Sequence, residues 1–493
     1  MAGIKSLARD TAVYGLSSIV GRFLNWCLVP LYTIMFTQAE YGVVTLMYSV
    51  VAVVLLVLIY GMETGFFRFA NHERWTDPME VYSTGLVSLT VSSTVFVVGM
   101  MFLLGPASRW LECPDHPEYV AMMVVCVALD AFTALPFSYL RFRSRAMRFA
   151  VIRLVGIAVN IGLNLFFILL CPWLEKVSPG LDLPFYSPDF GIGYIFLSNL
   201  VSSAVTLLLL LPELCGFRWR FNPQLWREMI VYSAPLLVLG VAGIMNQTID
   251  KIIFPDLVAD KADAMAQLGI YGANYKIAII MVMFIQAFRF AYEPFIFSRS
   301  RERGKDRTAA FSDAMKYFVL FAILIFLGVM YYLDIIRYFI SPRYFSGLRV
   351  VPIVMLAEFF FGVFFNLSLW YKLTDRTMWG AWFSLLGLAV TVTLNVLLVP
   401  RIGYMGCAYA ALCSYGVMMV TSYFVGRHYY PIPYHLRRIA LYCCAAAVLY
   451  FVGVNGLSAL PHWATYSLRA VLLLGYVAAV VRVEHIPLPG LRR

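Results

Sequence analysis

The stretch YGANYKIAIIMVMFIQAFRFAYEPFIF, residues 271–297, is long and apolar enough to cross a membrane, yet it holds Lys276, Gln286, Arg289 and Glu293. The 493-residue chain around it is 61% hydrophobic and 13% charged, with a mean hydropathy of +0.79. Soluble domains carry about 25% charged residues, so a soluble fold would lack the polar surface it needs. A span needs about 20 mostly apolar residues. Fourteen runs meet that length, from 11–36 and 40–64 through 228–254 and 268–291 to 437–455 and 464–481. They lack the alternation of a membrane barrel. The chain therefore reads as an all-α polytopic membrane protein.

The start, MAGIKSLARDTAVYGLSSIVGRFLNW, has no clean apolar core ending at a small-residue cleavage site, so it reads as an uncleaved first span. Fourteen crossings put both termini on one side. Most of the 38 Lys and Arg crowd into the loops of that side, among them RFRSRAMR (141–148), Arg218 and Arg220, and SRSRERGKDR (298–307). The positive-inside rule makes that side cytoplasmic. The opposite loops near 112–118 and 256–263 are acidic. The net charge of +11 is thus a topology signal and gives no reason to invoke nucleic acid. The nine cysteines lie mostly in apolar segments without paired spacing, and the six histidines lack ligand spacing. Neither a disulfide frame nor a metal site is expected. No loop exceeds roughly 25 residues, so no soluble domain is expected on either side.

Residues 271–297 have a twin. Tyr41-Gly42 opens the second span and Tyr271-Gly272 opens the eighth, while Val13-Tyr14 in the first matches Val231-Tyr232 in the seventh. Repeated halves are common in transporters. The expected organisation is residues 1–217 as one six-helix lobe, 218–430 as a second, and 431–493 as two additional helices with a short tail. FRFA occurs at 67–70 and at 288–291, but its offset disagrees with that of the Tyr-Gly pairs, which instead match Glu63 with Glu293. A continuous helix from Tyr271 to Glu293 covers about 33 Å, a full hydrocarbon crossing. Glu63, Glu293 and Arg289 then fall at the cytoplasmic mouth as a candidate gate, or as an interfacial anchor. Lys276 stays inside the span.

A charge at mid-membrane costs about 2.5–3.5 kcal/mol on insertion scales, so it is partnered or lines a wet cavity. Span 1 aligns Tyr14, Ser18, Arg22, Asn25 and Tyr32 on one face, span 5 aligns Arg153, Gly156, Asn160 and Asn164, and span 11 aligns Ser384, Gly387, Thr391 and Asn395. Span 7 adds Tyr232, Gly240, Gly243, Gln247 and Asp250, with Pro235 expected to bend the helix. Spans 4 and 10 each place one acid near mid-depth, Asp130 and Glu358. Two readings stand. The small and polar residues glue helices together and the charges pair internally, or the faces converge on a hydrophilic cavity. On the second reading Arg22, Asn25, Lys276, Arg153, Asn160 and Asn164 face the substrate. Guanidinium suits phosphate or diphosphate because it offers several donors in a planar fork. Asp130, Glu358 and Asp250 are then the candidates for coupling to an ion.

The segments KSLARDTAVYGLSSIVGRFLNWCLVPLYT, EYGVVTLMYSV, GMETGFFRFA, NQTIDKIIF and YGANYKIA with QAFRFAYEPFIF resemble the bacterial oligosaccharide flippases. These are the Wzx-type branch of the multidrug/oligosaccharidyl-lipid/polysaccharide exporter superfamily. The resemblance covers about residues 5–430. It implies two six-helix lobes in a V-shaped arrangement, working by alternating access without a catalytic or metal centre. The implied cargo is an undecaprenyl-diphosphate-linked oligosaccharide, moved from the cytoplasmic to the periplasmic leaflet of the inner membrane. Arg22 and Lys276 are the cavity cations carried over. The superfamily implies coupling to H⁺ or Na⁺, and the C-terminal helix pair implies a lipid groove. Docking of polysaccharide-assembly enzymes on the basic loops is a further expectation. The alternatives are a cation-coupled multidrug exporter of the same superfamily, and a membrane glycan polymerase or ligase. For the last, Asp182, Asp189 and Arg343 are the loop candidates, and they form no recognisable constellation.

Overall fold

The computed structural model describes residues 2–75, 77–178, 184–214, 220–299, 305–374, 376–457 and 460–485, without the side chains of 2–12, 18, 291 and 293–307. Fourteen membrane-length helices are present among the described residues: α1 Val13–Met35, α2 Gln38–Ala70, α3 Pro78–Phe102, α4 Pro117–Phe142, α5 Ala146–Val177, α6 Gly193–Leu214 and α7 Pro223–Leu257. They continue as α8 Lys261–Phe290, α9 Thr308–Tyr331, α10 Val350–Leu373, α11 Met378–Ile402, α12 Tyr404–Tyr429, α13 Leu436–Gly456 and α14 His462–Val483. The chain is an all-α polytopic fold, and each expected span has its helix. In the first unit, odd-numbered helices start at the end bearing Arg141–Arg148, called here its basic end, and even-numbered helices start at the end bearing Glu112 and Asp256, its acidic end.

Two compact units are present. One comprises Met1–Gly272 with Asn395–Tyr404, the other Ala273–Leu394 with Met405–Arg493. In this division α7 lies inside the first unit, packed on both segments of α2 and on α3. At its basic end that unit is filled by Met62, Phe66, Tyr82, Leu135, Tyr139 and Met229. The second unit has an aromatic core of Phe364, Trp370, Phe383 and Tyr415 with Met418.

Local chemistry shapes the helices. Thr37 starts α2 through a capping box, its hydroxyl accepting from Glu40 N–H at 3.3 Å while Glu40 accepts from Thr37 N–H at 2.7 Å. The helix does not run unbroken to Glu63 as the sequence suggested. Tyr60 (φ 34°) and Gly61 (φ 73°) are left-handed and split α2 into Gln38–Ile59 and Met62–Ala70. Gly61 lies against α7, where a Cβ would come within 3.2 Å of Ser233 Cβ, and Ser233 Oγ donates to its carbonyl at 3.3 Å. The matching helix around 271–293 has no such break, being continuous over Lys261–Arg299. Pro235 lies inside an unbroken α7.

The C-terminal pair is fastened to α9 at both ends. A π-turn at Val452–Gly456 loosens the end of α13. Arg469 of α14 is buried there and donates to Gly453 O at 2.9 Å, Tyr331 O at 2.6 Å and Asp334 Oδ2 at 3.1 Å. At the other end of α9, Lys316 pairs with Glu484, whose other oxygen accepts from Tyr442 at 2.6 Å. Arg469→Ala should lower unfolding stability by about 3 kcal/mol, read as a drop in melting temperature in detergent, because two carbonyls and a carboxylate lose a buried donor together.

Burial raises the Glu484 carboxyl, but the Lys316 ammonium and Tyr442 hydroxyl outweigh it and hold the group below its ordinary 4.5. A depressed carboxylate stabilises the fold above its unfolded value and stops doing so as pH falls through its folded value. Melting temperature should therefore fall as pH drops below about 4.5, and Glu484→Gln should flatten that acid limb while lowering stability at neutral pH.

Candidate substrate-facing site

The polar faces expected on spans 1 and 5 do meet. Tyr32 of α1 donates to Asn164 Oδ1 at 2.9 Å, and Asn164 Nδ2 donates to Asn160 O and Oδ1 at 2.8 and 3.0 Å. Asn160 Nδ2 reaches Asn25 Oδ1 at 3.4 Å. Asn160 and Asn164 are buried, and Asn164 uses both amide donors inside this ladder. The pair thus fastens α5 to α1 rather than facing a substrate, because unpaired amides at this depth would be costly. Gly156 extends the seam toward α6, where Ser202 Oγ donates to its carbonyl at 2.7 Å. Arg22, one turn before Asn25, is exposed and makes a polar or electrostatic interaction of its own.

A row of charges runs along α4, α5 and the end of α2. Asp130 accepts from Ser203 Oγ at 2.7 Å and lies within electrostatic reach of Arg153. Arg153, accessible although deep in the bundle, rests over the Phe137 ring at 4.6 Å and also feels Glu63 and Arg141. Glu63, expected as a gate acid, pairs with Arg141 at 3.0 Å, and Arg141 donates to Ser138 Oγ at 2.9 Å. The sequence reading treated Arg141 as a loop charge. Its spacing of eleven residues from Asp130 puts both on one face of α4, about 20° apart, and that was the available signal.

Asp250 has a different role from the one expected. It is buried and accepts from Lys251 Nζ at 3.0 and 3.1 Å and from Tyr271 O–H at 2.8 Å. Lys251 also donates to Gln247 O at 2.9 Å. In this structure the acid is compensated by a neighbouring ammonium and a phenol, a pairing that ties α7 to α8. Adjacent residues on a helix do not ordinarily face one another, so sequence spacing hid the pair.

Nearby, the two Tyr-Gly anchors of the repeat lie against each other. A Cβ on Gly42 would strike the Met265 carbonyl, one on Gly269 the Gln38 carbonyl, and one on Gly272 the Thr45 side chain. The acidic ends of α2 and α8 thus cross backbone to backbone, with Tyr41 and Tyr271 buried beside the crossing. Lys261 adds ion pairs to Glu112 at 3.0 Å and Asp256 at 2.9 Å.

In the second unit Glu358 is buried and accepts from Tyr275 O–H at 2.7 Å. Lys276, the next residue, is half-buried and has an interaction partner within the protein. Arg289 lies over the Phe365 ring at 4.0 Å, and Lys372 lies over the same ring at 4.6 Å. The Glu293 side chain and Asp182 lie outside the described residues.

The profile of a family described as "Polysaccharide biosynthesis protein" matches residues 7–300, more than half of the chain. The chain belongs to that family. No curated protein matches it by sequence at a significant level. Among solved structures, the lipid II flippase MurJ in an inward closed conformation is similar, with a TM-score of 0.74 at 13% identity over 97% of this chain and 99% of that one. An inward-facing multidrug resistance MATE family transporter of the MOP superfamily gives 0.67 at 12% identity over 88% of this chain and 98% of that one. Family and fold together fit the sequence resemblance: the chain is a multi-pass member of the polysaccharide biosynthesis family with the fold of these structures.

In this family member, bulk at the glycine crossing tests whether α2 and α8 close on one another during transport. Gly269→Leu should leave the protein in the membrane at normal level. It should also raise labelling of a cysteine placed at Thr45 by a membrane-impermeant thiol reagent, because the acidic ends can no longer approach. Unchanged labelling would mean the crossing does not hold that end shut.

Proposed function

We propose that the protein flips a polyprenyl-diphosphate-linked oligosaccharide across the bacterial inner membrane by alternating access, supplying a surface polysaccharide pathway. The basic end faces the cytoplasm with both termini, in keeping with the positive-inside rule. The observation that carries the reading is the pair of accessible cations within membrane-spanning helices, Arg22 and Arg153. An accessible guanidinium at that depth meets water or an anion, since facing hydrocarbon would be costly. A diphosphate flanked by sugars is an anion of the right kind, and polysaccharide biosynthesis supplies the context. The glycan passes along the polar face of the first unit while the polyprenyl chain stays among membrane lipids.

Asp130 is the acid we assign to ion coupling, with H⁺ or Na⁺ as the ion. It lies within electrostatic reach of Arg153, is only partly buried, and accepts from Ser203 instead of pairing with Arg141 as Glu63 does. Glu358 is held by Tyr275 in a buried setting and serves as the counterpart in the second unit. Polysaccharide-assembly enzymes would dock on the basic loops. The likeness to multidrug transporters keeps drug export as the second reading, and a drug-susceptibility profile of a deletion strain separates the two.

Arg153→Ala should reduce surface polysaccharide to near background at unchanged protein level, whereas Arg153→Lys retains part of it. Wild-type polysaccharide in the alanine variant would remove Arg153 from the substrate path.

A further inference from the structure

At the basic end of the first unit, the last turn of α2 and the first turns of α7 enclose a cavity of about 650 Å³. Arg68, Arg74, Arg227 and His72 line it together with one acid, Glu228. Arg74 offsets that acid at 2.9 Å, and Trp75 Nε1 donates to its second oxygen at 3.3 Å. Among the described residues, Arg68 and Arg227 enter no ion pair. The cavity therefore holds two uncompensated guanidinium groups.

Arg68 is positioned rather than loose. Its guanidinium lies over the Tyr232 ring at 4.1 Å, and Phe69 holds that ring edge-on at 6.2 Å. Stacking engages the face of a guanidinium and leaves its in-plane N–H groups to donate. His72 adds a donor of known direction. Its Nδ1 accepts from Arg74 N–H at 3.2 Å, which places the ring proton on Nε2.

The other wall of the cavity is apolar. Val231 lines it and is 67% exposed. Ala234 and Val238 continue an exposed strip along α7 away from the basic end. Trp226, partly exposed and bonded to Ser88 Oγ at 2.7 Å, sits in the first turn of the same helix, as interfacial tryptophans do. A free anion has no use for an apolar strip beginning where the arginines end. A lipid has both parts.

We propose that this cavity binds the phosphate-bearing headgroup of a membrane lipid, with Arg68 and Arg227 on the phosphate oxygens and the hydrocarbon chain along Val231 and Val238. The site is separate from the Arg22 and Arg153 face and does not depend on the transport reading. The headgroup chemistry fits both a glycerophospholipid and a polyprenyl diphosphate, so the test includes each.

The full-length protein in phosphatidylcholine nanodiscs is titrated with phosphatidic acid, with farnesyl diphosphate and with inorganic pyrophosphate, and bound ligand is read by native mass spectrometry. Saturable binding of either lipid is expected. The double variant Arg68→Ala/Arg227→Ala should weaken it at least about ten-fold, and Arg68→Lys/Arg227→Lys should restore part of it. Preference for the diphosphate identifies substrate capture and equal binding identifies a general anionic-lipid site; both support the assignment. Undiminished lipid binding in the alanine double variant overturns it, as does pyrophosphate binding as tightly as the lipids. Because no transport is measured, failure here leaves the flippase reading standing.

Discussion

Hydrocarbon does not solvate a charge, so each ionisable group on a membrane helix needs a partner, access to water, or a place at the interface. That constraint sorts the chain's charges and gives each group a different job. Asp250 with Lys251 and Tyr271, Arg469 with Asp334 and Lys316 with Glu484 are partnered, and the Tyr271, Arg469 and Lys316 contacts tie separate segments together. Arg68 and Arg227 sit at the basic interface, where exposure costs little. Arg22 and Arg153 are accessible within their helices and also interact inside the protein.

The glycine crossing follows from a second limit. Lipid tails are as apolar as leucine, so helices in a membrane gain little from burying large apolar side chains against each other. Close backbone approach provides packing instead. Gly42, Gly269 and Gly272 permit that approach between the acidic ends of α2 and α8. The same Tyr-Gly dipeptides first mark the repeat in the sequence. The glycines that meet are Gly42 and Gly269, while Gly272 packs against Thr45 one turn further along α2.

Spans were legible because span length depends only on the run of apolar residues, and all fourteen were placed. Polar faces on α1 and α5 were legible because helical periodicity places Tyr32, Asn25, Asn160 and Asn164 on matched stripes. What periodicity cannot supply is the partner on another helix. It therefore could not separate Asn164, buried and bonded, from Arg153, accessible and facing charge. The break in α2 was hidden because Tyr60-Gly61 reads as one more tolerated glycine in an apolar run. Only the neighbouring Ser233 hydroxyl, 172 residues away in sequence, shows why the carbonyl there turns. The opening question about Lys276 has an internal part to its answer, since that ammonium interacts within the protein.

The distribution of fixed charge also limits what the protein can do by itself. In the first unit, arginines gather at the basic end, and carboxylates gather at the acidic end, where Glu40, Glu112, Asp115 and Asp189 line one cavity of about 360 Å³. An anionic headgroup is attracted at one end and repelled at the other, which speeds entry and exit in one sense. Fixed charges act equally on the forward and reverse journeys, so they lower barriers without changing the equilibrium between leaflets. On the proposed function, net transfer would therefore need a second process: an ion gradient felt by a group such as Asp130, or removal of the flipped product on the far side. Asp130 lies within reach of Arg153, so protonating or metallating that acid changes how strongly the arginine holds an anion. Coupling in this fold needs no wire between distant sites, because the acid and the cation it would modulate are neighbours.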